Sequence, residues 1–297
     1  MCFLYLFRCF LNLIFLIFKR LSLLALTRPI NFIITFISGF LAVLIAQNGI
    51  INATTLVFGF LIGGSAAFVA AGGNIVNDII DLETDKINRP DRPLPSGKVS
   101  VKTATKMYIF AKIFGFFFAS LVGILPAIIA VLTSSLIFLY SFLLKKIPLV
   151  GNLTVAFFTG LVFIFGASAV GNYSHAIFPF LFAFTINLIR EIVKDVEDIE
   201  GDRATGVKSL PVVFGIEKTK NIAVQISVTL IIMVFLPFFF KVYKIEYLVI
   251  IALSVAPALV SVIKEIRSAT EKKNWGVISR NLKFIMILGI FAILMGI

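Results

Sequence analysis

Apolar stretches of about 20 residues, separated by short polar or charged segments, recur along almost the whole chain. A stretch of that length is what an α-helix needs to cross the hydrocarbon core of a bilayer. The pattern therefore predicts an all-α, polytopic membrane protein with nine transmembrane helices. We place the spans at about 27–47, 55–80, 104–124, 126–144, 150–170, 176–198, 221–240, 246–264 and 280–297.

The first 20 residues form a segment of their own, apolar but interrupted by Arg8 and closed by a Lys-Arg pair. No small-residue cleavage site follows the apolar run, so the segment does not have the pattern of a cleaved signal peptide. We predict an interfacial or accessory helix over 1–20. A single transmembrane domain over 21–297 follows it.

Composition excludes a soluble protein, because 60% of the 297 residues are hydrophobic and only 14% are charged. A typical soluble domain is about 25% charged, and the mean hydropathy here is +1.06. A net charge of +12 would suggest nucleic acid in a soluble protein, but in a membrane protein it indicates cytoplasmic loops. We expect no nucleic-acid partner. One histidine, His175, and two cysteines exclude a His-rich metal site and a disulfide framework.

Basic residues are distributed asymmetrically between the predicted loops. Of the 27 Lys and Arg residues, 21 lie in or beside loops on one side, and the opposite connections near 48–54, 124–127 and 171–175 have none. By the positive-inside rule, the basic side faces the cytoplasm. We therefore predict a multi-pass cell-membrane protein with a cytoplasmic N-terminus.

Two acidic motifs with the same spacing, D-x-x-D-x-x-x-D, lie at the basic ends of two predicted spans. Their aspartates are Asp78, Asp81, Asp85, Asp195, Asp198 and Asp202. In a continuous helix, the three aspartates of one motif fall within about 60° of one another, which for the second motif requires the helix to continue through Gly201. Asn74 and Glu191, each four residues before the first aspartate, extend the same faces.

Like charges packed together at a membrane span destabilise the fold unless cations neutralise them. Oxygen ligands without His or Cys suit a hard divalent cation, and Mg²⁺ commonly binds through a few carboxylates and the phosphates of a substrate. We interpret the six aspartates as catalytic metal ligands of a magnesium–diphosphate site that opens near the cytoplasmic face. The alternative, helix-end charges solvated at the interface, applies better to the other carboxylates of the two segments.

Each acidic motif is followed directly by a basic loop rich in Pro and Gly. The candidate phosphate-binding cations in these loops are Arg89, Arg92, Lys98, Arg203 and Lys208. Guanidinium and ammonium groups bind phosphate oxygens and neutralise charge that develops on a leaving group. Other lysines of the loops, such as Lys102 and Lys218, are better explained by topology alone.

At these residues the chain resembles the UbiA superfamily of intramembrane prenyltransferases. The resemblance rests on N-D-x-x-D-x-x-x-D at 77–85, NRPDRPLPSG at 88–97 and the second acidic motif at 195–202. TRPINF at 27–32 and LYSFLLKKIPLVGN at 139–152 match as well. The resemblance covers about residue 27 to the end.

This resemblance implies helices around a central chamber, Mg²⁺ as cofactor, and transfer of a prenyl group from a prenyl diphosphate with release of diphosphate. DVEDIEGDRATGVKSLPVVFG at 195–215 is most similar to the branch that makes ether lipids, whose donor is geranylgeranyl diphosphate and whose acceptor is geranylgeranylglyceryl phosphate. A UbiA-type transfer to an aromatic acceptor in quinone synthesis is the alternative. Further substrate-binding candidates are Arg28, Asn31, Asn74, Asn77, Tyr140, Ser141, Lys145 and Glu191. For Tyr140 and Lys145, anchoring of a helix end at the interface is the competing explanation.

Two other classes of protein also place carboxylates in membranes. A cation transporter combines intramembrane carboxylates with repeated halves, but its site usually lies near the midplane, and both acidic motifs here lie at helix ends. A phospholipid-synthesising phosphotransferase has a comparable acidic run, but its D-G-x-x-A-R segment is missing from this chain.

Overall fold

Helices and the turns between them make up the part of the chain that this computed structural model describes, residues 22–297. The long helices are α1 (Pro29–Ala46), α2 (Ala53–Ile80), α4 (Val101–Ser120), α5 (Ile124–Phe142), α6 (Val150–Ser168), α7 (Ile177–Glu197), α10 (Ile216–Met233), α13 (Ala256–Ser268) and α14 (Lys272–Gly296). The short helices are α3 (Leu82–Asn88), α8 (Ile199–Thr205), α9 (Leu210–Phe214), α11 (Leu236–Phe239) and α12 (Ile245–Ile250). A 3₁₀ turn covers Leu144–Lys146, and a π-helical segment, Ile251–Val255, joins α12 to α13. The predicted N-terminal helix over 1–20 lies outside the described residues.

Nine long helical segments of the described chain coincide with the nine predicted spans. Seven of them are long and apolar enough to cross a membrane. The other two, α4 and α7, contain several charged residues and are less apolar. The positions of the helices agree with the prediction, and the count of nine spans stays a prediction.

Close packing of α1 against α2 depends on two glycines that face each other. A Cβ built on Gly39 would overlap the backbone of Gly63, and one on Gly63 would overlap the carbonyl oxygen of Phe36. Without side chains at this crossing, the two helix backbones approach closely, as small residues permit in membrane bundles. This packing fixes Arg28, just before α1, beside the end of α2.

Both acidic motifs lie at a break between a long helix and a helix of seven residues. Asp81 ends α2 and begins α3 with φ −86° and ψ 10°, and Asp198 ends α7 and begins α8 with φ −97° and ψ 6°. These values lie in the bridge region rather than in the α region. The expectation of one continuous helix through each motif is therefore wrong, although α8 does continue through Gly201.

The last helix begins eight residues before its predicted start, at Lys272 instead of 280. The sequence favoured the later start because Lys272, Lys273 and Arg280 resemble a polar loop. As a consequence, Lys283 lies three turns inside α14 rather than beside a loop.

Large apolar side chains cover the outer surface of the helical bundle. Ile30, Phe239 and Leu253 are each more than 70% exposed, which a soluble monomer rarely tolerates over a contiguous area. Lipid is the solvent that suits this surface.

Candidate active site

A cavity of about 670 Å³ extends into the bundle from the end at which both acidic motifs lie. Five of the six aspartates line it, as do the predicted residues Asn31, Asn74, Asn77, Tyr140, Glu191 and Lys208. The sixth, Asp78, is buried and contacts the lining residues Arg28 and Arg92. Two motifs far apart in sequence therefore share one pocket.

Arginines neutralise the first and third aspartates of the first motif. Arg28 donates to the Oδ1 atom of Asp78 at 2.5 Å and to the Oδ1 atom of Asn74 at 3.0 Å. Arg92 donates to Asp85 at 2.6 Å and to Asp78 at 3.2 Å. The Arg28 backbone has a positive φ of 52°, which is uncommon for a residue other than glycine. Its side-chain contacts help to hold that conformation.

The end of the fourth predicted span and the 3₁₀ turn after it contribute the side chains that contact Asp81 and Asn77 of the first motif. Lys145 forms an ion pair with Asp81, and the Ser141 hydroxyl donates to the Oδ1 atom of Asn77. Tyr140, one residue earlier, is buried and lines the cavity. The segment at 139–152 therefore forms part of the site together with the two acidic motifs.

In the second motif the three aspartates have different surroundings. Arg89 donates to both carboxylate oxygens of Asp198, at 2.7 and 3.0 Å. Asn152 donates to Asp195 at 2.8 Å. Burial raises the pKa of Asp202 above its ordinary value. A nearby cation would stabilise the charged form of this carboxylate.

Arg89 and Asn88 connect the two motifs directly. Arg89 follows the first motif but pairs with Asp198 of the second. The side-chain oxygen of Asn88 accepts from the Gly201 backbone N–H at 3.2 Å. These contacts hold α3 beside α8 and bring the two acidic faces to the same end of the cavity.

The donor set fits Mg²⁺ bound together with a diphosphate. Among the described residues, no three His, Cys, Asp or Glu side chains are already grouped to hold a metal ion. All six aspartates offer oxygen ligands, and Mg²⁺ typically takes one or two carboxylates, with substrate phosphates and water completing its octahedron. Arg28, Arg89, Arg92 and Lys145 line the same cavity and pair with these aspartates.

Four predicted residues do not line this cavity. Asp78 and Ser141 are buried and contact lining residues, whereas the other two lie at the surface. Lys98 and Arg203 are exposed, and neither lines the cavity. Lys98 lies in the turn that also contains Arg92, and Arg203 lies near the end of α8, just before Lys208. Arg92 and Lys208 do line the cavity. Sequence position near a motif does not determine which way a loop side chain points.

The structure adds cavity residues that sequence reasoning missed. These are Asn88, Asn152, Arg190, Lys194 and Lys283. Asn88 and Asn152 belong to the segments on which the family resemblance rests, so the sequence could have identified both as site residues. Arg190, Lys194 and Lys283 had no such signal, because charges near helix ends are equally well explained by topology.

Beyond the charged end, the cavity is mostly apolar. Its deeper walls include Leu230, Val234, Ile251, Leu259 and Ile293. Only four of the phenylalanines in the described chain line it: Phe158, Phe163, Phe165 and Phe182. This apolar part can hold a hydrocarbon chain and exclude water.

Comparison with known proteins agrees with this geometry. The UbiA prenyltransferase family matches residues 32–288. A digeranylgeranylglyceryl phosphate synthase from Methanopyrus kandleri is 38% identical over 229 residues, covering 77% of this chain and 83% of the relative. The enzyme of the same name from Pyrococcus furiosus is 41% identical over 210 residues, covering 71% and 75%.

Solved structures of UbiA homologues share the fold of this chain. A structure described for digeranylgeranylglyceryl phosphate synthase in membranes aligns with a TM-score of 0.74 and 34% identity over 94% of this chain and 98% of that one. A UbiA homologue from Archaeoglobus fulgidus, bound to GPP and Mg²⁺, aligns with a TM-score of 0.68 and 19% identity over 92% and 99%. At 19% identity, the second similarity concerns the fold alone.

Proposed function

The chain belongs to the UbiA prenyltransferase family, and from this we propose that it transfers a geranylgeranyl group from geranylgeranyl diphosphate to geranylgeranylglyceryl phosphate, with Mg²⁺ as cofactor. The family match over residues 32–288 confirms the predicted resemblance. The all-α membrane fold is confirmed as well. The choice of substrates is supported by relatives of 31–41% identity that are named for this reaction.

One observation carries the proposal: both acidic motifs line a single cavity whose charged end continues into an apolar interior. The charged end suits the diphosphate, and the apolar interior suits the prenyl chain. A transporter is disfavoured because these carboxylates lie at helix ends and because the chain belongs to an enzyme family. Placing the reaction inside the bilayer lets a long lipid tail stay in hydrocarbon throughout.

We assign the first half-site to Asn74, Asn77, Asp78, Asp81 and Asp85. The second consists of Asp195, Asp198 and Asp202. When bound, Mg²⁺ would neutralise charge on the departing diphosphate without proton transfer. Arg89, Arg92, Arg28 and Lys145, now paired with the aspartates, would donate to diphosphate oxygens beside it.

In the reaction, the bond between C1 of the prenyl chain and the diphosphate oxygen breaks, and C1 forms a new bond to the acceptor hydroxyl oxygen. Diphosphate leaves with the electron pair of the broken bond, and the proton of the acceptor hydroxyl ends on the released diphosphate or on water. Neutralisation of that leaving group is the main contribution of the charged end. The apolar walls exclude water, which would otherwise intercept the electrophilic chain.

The protein is a multi-pass membrane protein, as its long apolar helices and its family indicate. We propose in addition that the N-terminus and the charged end of the cavity face the cytoplasm. This orientation rests on the asymmetric distribution of Lys and Arg. The prediction of a single domain over 21–297 likewise stays a proposal.

The deciding experiment incubates purified protein with labelled geranylgeranyl diphosphate, Mg²⁺ and one of two acceptors. We expect labelled product with geranylgeranylglyceryl phosphate and none with an aromatic acid. Chelation of divalent ions should abolish the product, and added Mg²⁺ should restore it. Transfer to the aromatic acid alone would replace the proposed acceptor, and turnover that survives thorough chelation would contradict the assigned role of the aspartates.

A further inference from the structure

A second group of charged side chains lines the cavity beside the second acidic motif. It consists of Arg190 and Lys194 on α7 and Lys283 on α14, together with one carboxylate, Glu191. We call it the deep basic cluster. All four residues line the cavity, and Arg190, Lys194, Arg28 and Glu191 are the electrostatic neighbours of Lys283.

The packing of α7 against α14 explains why the cluster forms. Gly276 of α14 faces the Glu197 side chain at the end of α7. Seven residues further along α14 stands Lys283, and seven residues back along α7 stands Arg190. Seven residues are close to two helical turns, or about 10.5 Å. The two cations therefore lie at the same depth on facing sides of antiparallel helices.

Arg190 and Lys283, but not Lys194, lie deeper in the bundle than the second acidic motif. Arg190 precedes Asp195 by five residues on α7, an axial distance of about 7.5 Å. The cations beside the acidic motifs already pair with aspartates. The deep cations do not share those partners.

Positive charge in the deep basic cluster exceeds its negative charge. Arg190 and Lys194 both pair with Glu191, at 3.0 and 2.9 Å. Within the described residues Lys283 makes no ion pair, and it donates only to Asn31 at 3.4 Å. The buried Nε atom of Arg190 has no hydrogen-bond partner there either. Lys194 also lies near the Asp195 carboxylate, so Lys283 and Arg190 are the cations that keep charge for a ligand to neutralise.

We propose that the deep basic cluster binds the phosphate group of the acceptor, with Lys283 and Arg190 as its ligands. This inference rests on the proposed function. A phosphate monoester carries nearly two negative charges near neutral pH, and the Lys283 and Arg190 side chains can neutralise them. The glyceryl unit then reaches from this phosphate toward the acidic motifs, where its hydroxyl meets C1 of the prenyl donor.

The assignment separates the two anionic substrates by depth. The diphosphate of the donor lies at the acidic motifs, and the phosphate of the acceptor lies at the deep basic cluster. It also gives a basis for acceptor choice, because an acceptor without phosphate would leave Lys283 without a charged partner in a cavity whose interior is mostly apolar. The phosphate contacts thus determine which acceptor binds, rather than how fast a bound acceptor reacts.

The test compares Lys283→Gln with the wild type in steady-state kinetics. We expect the KM for geranylgeranylglyceryl phosphate to rise about tenfold to a hundredfold while the KM for geranylgeranyl diphosphate changes by less than about twofold. Lys283→Arg, which keeps the charge, should restore most of the acceptor affinity. Arg280→Gln serves as the matched control, since Arg280 is exposed on the same helix outside the cavity.

A second acceptor makes the test independent of the folding of the variant. The dephosphorylated alcohol, geranylgeranylglycerol, should be a poor substrate of the wild type, and Lys283→Gln should use it at least as well. Loss of phosphate discrimination with retained turnover of the alcohol would support the proposal. A rise in the donor KM alone, or an unchanged acceptor KM, would overturn the proposal and leave the proposed function standing. A wild type that transfers nothing to geranylgeranylglyceryl phosphate would refute both.

Discussion

At the scale of single residues, each aspartate of the two motifs differs from its neighbours in what neutralises it. Asp78 pairs with two arginines and Asp81 with a lysine, whereas Asp195 accepts a hydrogen bond from the amide of Asn152. The same D-x-x-D-x-x-x-D spacing therefore does not give equivalent carboxylates. Substitutions within one motif should accordingly differ in severity.

We expect Asp78→Asn and Asp198→Asn each to lower kcat/KM by about 10²- to 10³-fold, because each removes a charge from the proposed metal–diphosphate site. Steady-state kinetics in detergent measures the effect, and helical circular dichroism with size-exclusion chromatography establishes that the variant is folded. Asp91→Asn is the matched control, since Asp91 is exposed and does not line the cavity. Wild-type turnover by either motif variant would contradict the assigned site.

At the scale of helices, the middle aspartate of each motif marks the break between a long helix and a short one. The two short helices, α3 and α8, contact each other through the Asn88 side chain on Gly201 and a hydrogen bond of 3.3 Å between Thr84 and Thr205. This pair of short helices forms the charged end of the cavity. Its geometry depends on a glycine at position 201.

A methyl group at that position should separate the two short helices. A Cβ built on Gly201 would overlap the Asn88 side chain, so we expect Gly201→Ala to lower kcat and to cost about 1–3 kcal/mol of stability. Turnover and the Tm in detergent measure both effects. Gly72→Ala is the control, because its Cβ would meet Ala111 at an ordinary 3.7 Å. Indistinguishable behaviour of the two variants would argue against contact between α3 and α8.

At the scale of the whole molecule, one end of the bundle holds the acidic motifs and most of the basic residues. Of the described loops at the other end, only the connection between α11 and α12 contains Lys or Arg, namely Lys241 and Lys244. This polarity predicts the sidedness of the protein in the membrane. Ser96 lies in the turn after the first motif, and Ser174 lies in the opposite connection between α6 and α7. Both are exposed.

In a chain whose Cys2 and Cys9 are replaced by serine, we expect Ser174→Cys to react with a membrane-impermeant thiol reagent added to intact cells. Ser96→Cys should react only after permeabilisation, because we place its turn on the cytoplasmic side. Labelling on a gel, compared before and after permeabilisation, measures the difference. The opposite pattern would reverse the proposed orientation.

The sequence by itself determined the features that depend on local chemistry. Apolar length located the nine long helical segments, and the spacing of oxygen ligands identified the acidic motifs, because hydropathy and helical periodicity act over a few turns. Tyr140 and Lys145, by contrast, became candidates through the family resemblance of the segment at 139–152. The start of α14 was missed because a run of charged residues looks alike in a loop and in a cavity-facing helix.

Only the tertiary structure decided which charges meet. Arg89 and Asp198 are 109 positions apart, and Lys283 donates to Asn31 across 252 positions, so no local pattern could pair them. Their contacts depend on how helices cross, which close backbone approaches such as Gly39 against Gly63 determine. The helix breaks at Asp81 and Asp198 could not be predicted from local sequence either, because each depends on the packing of the short helix that follows.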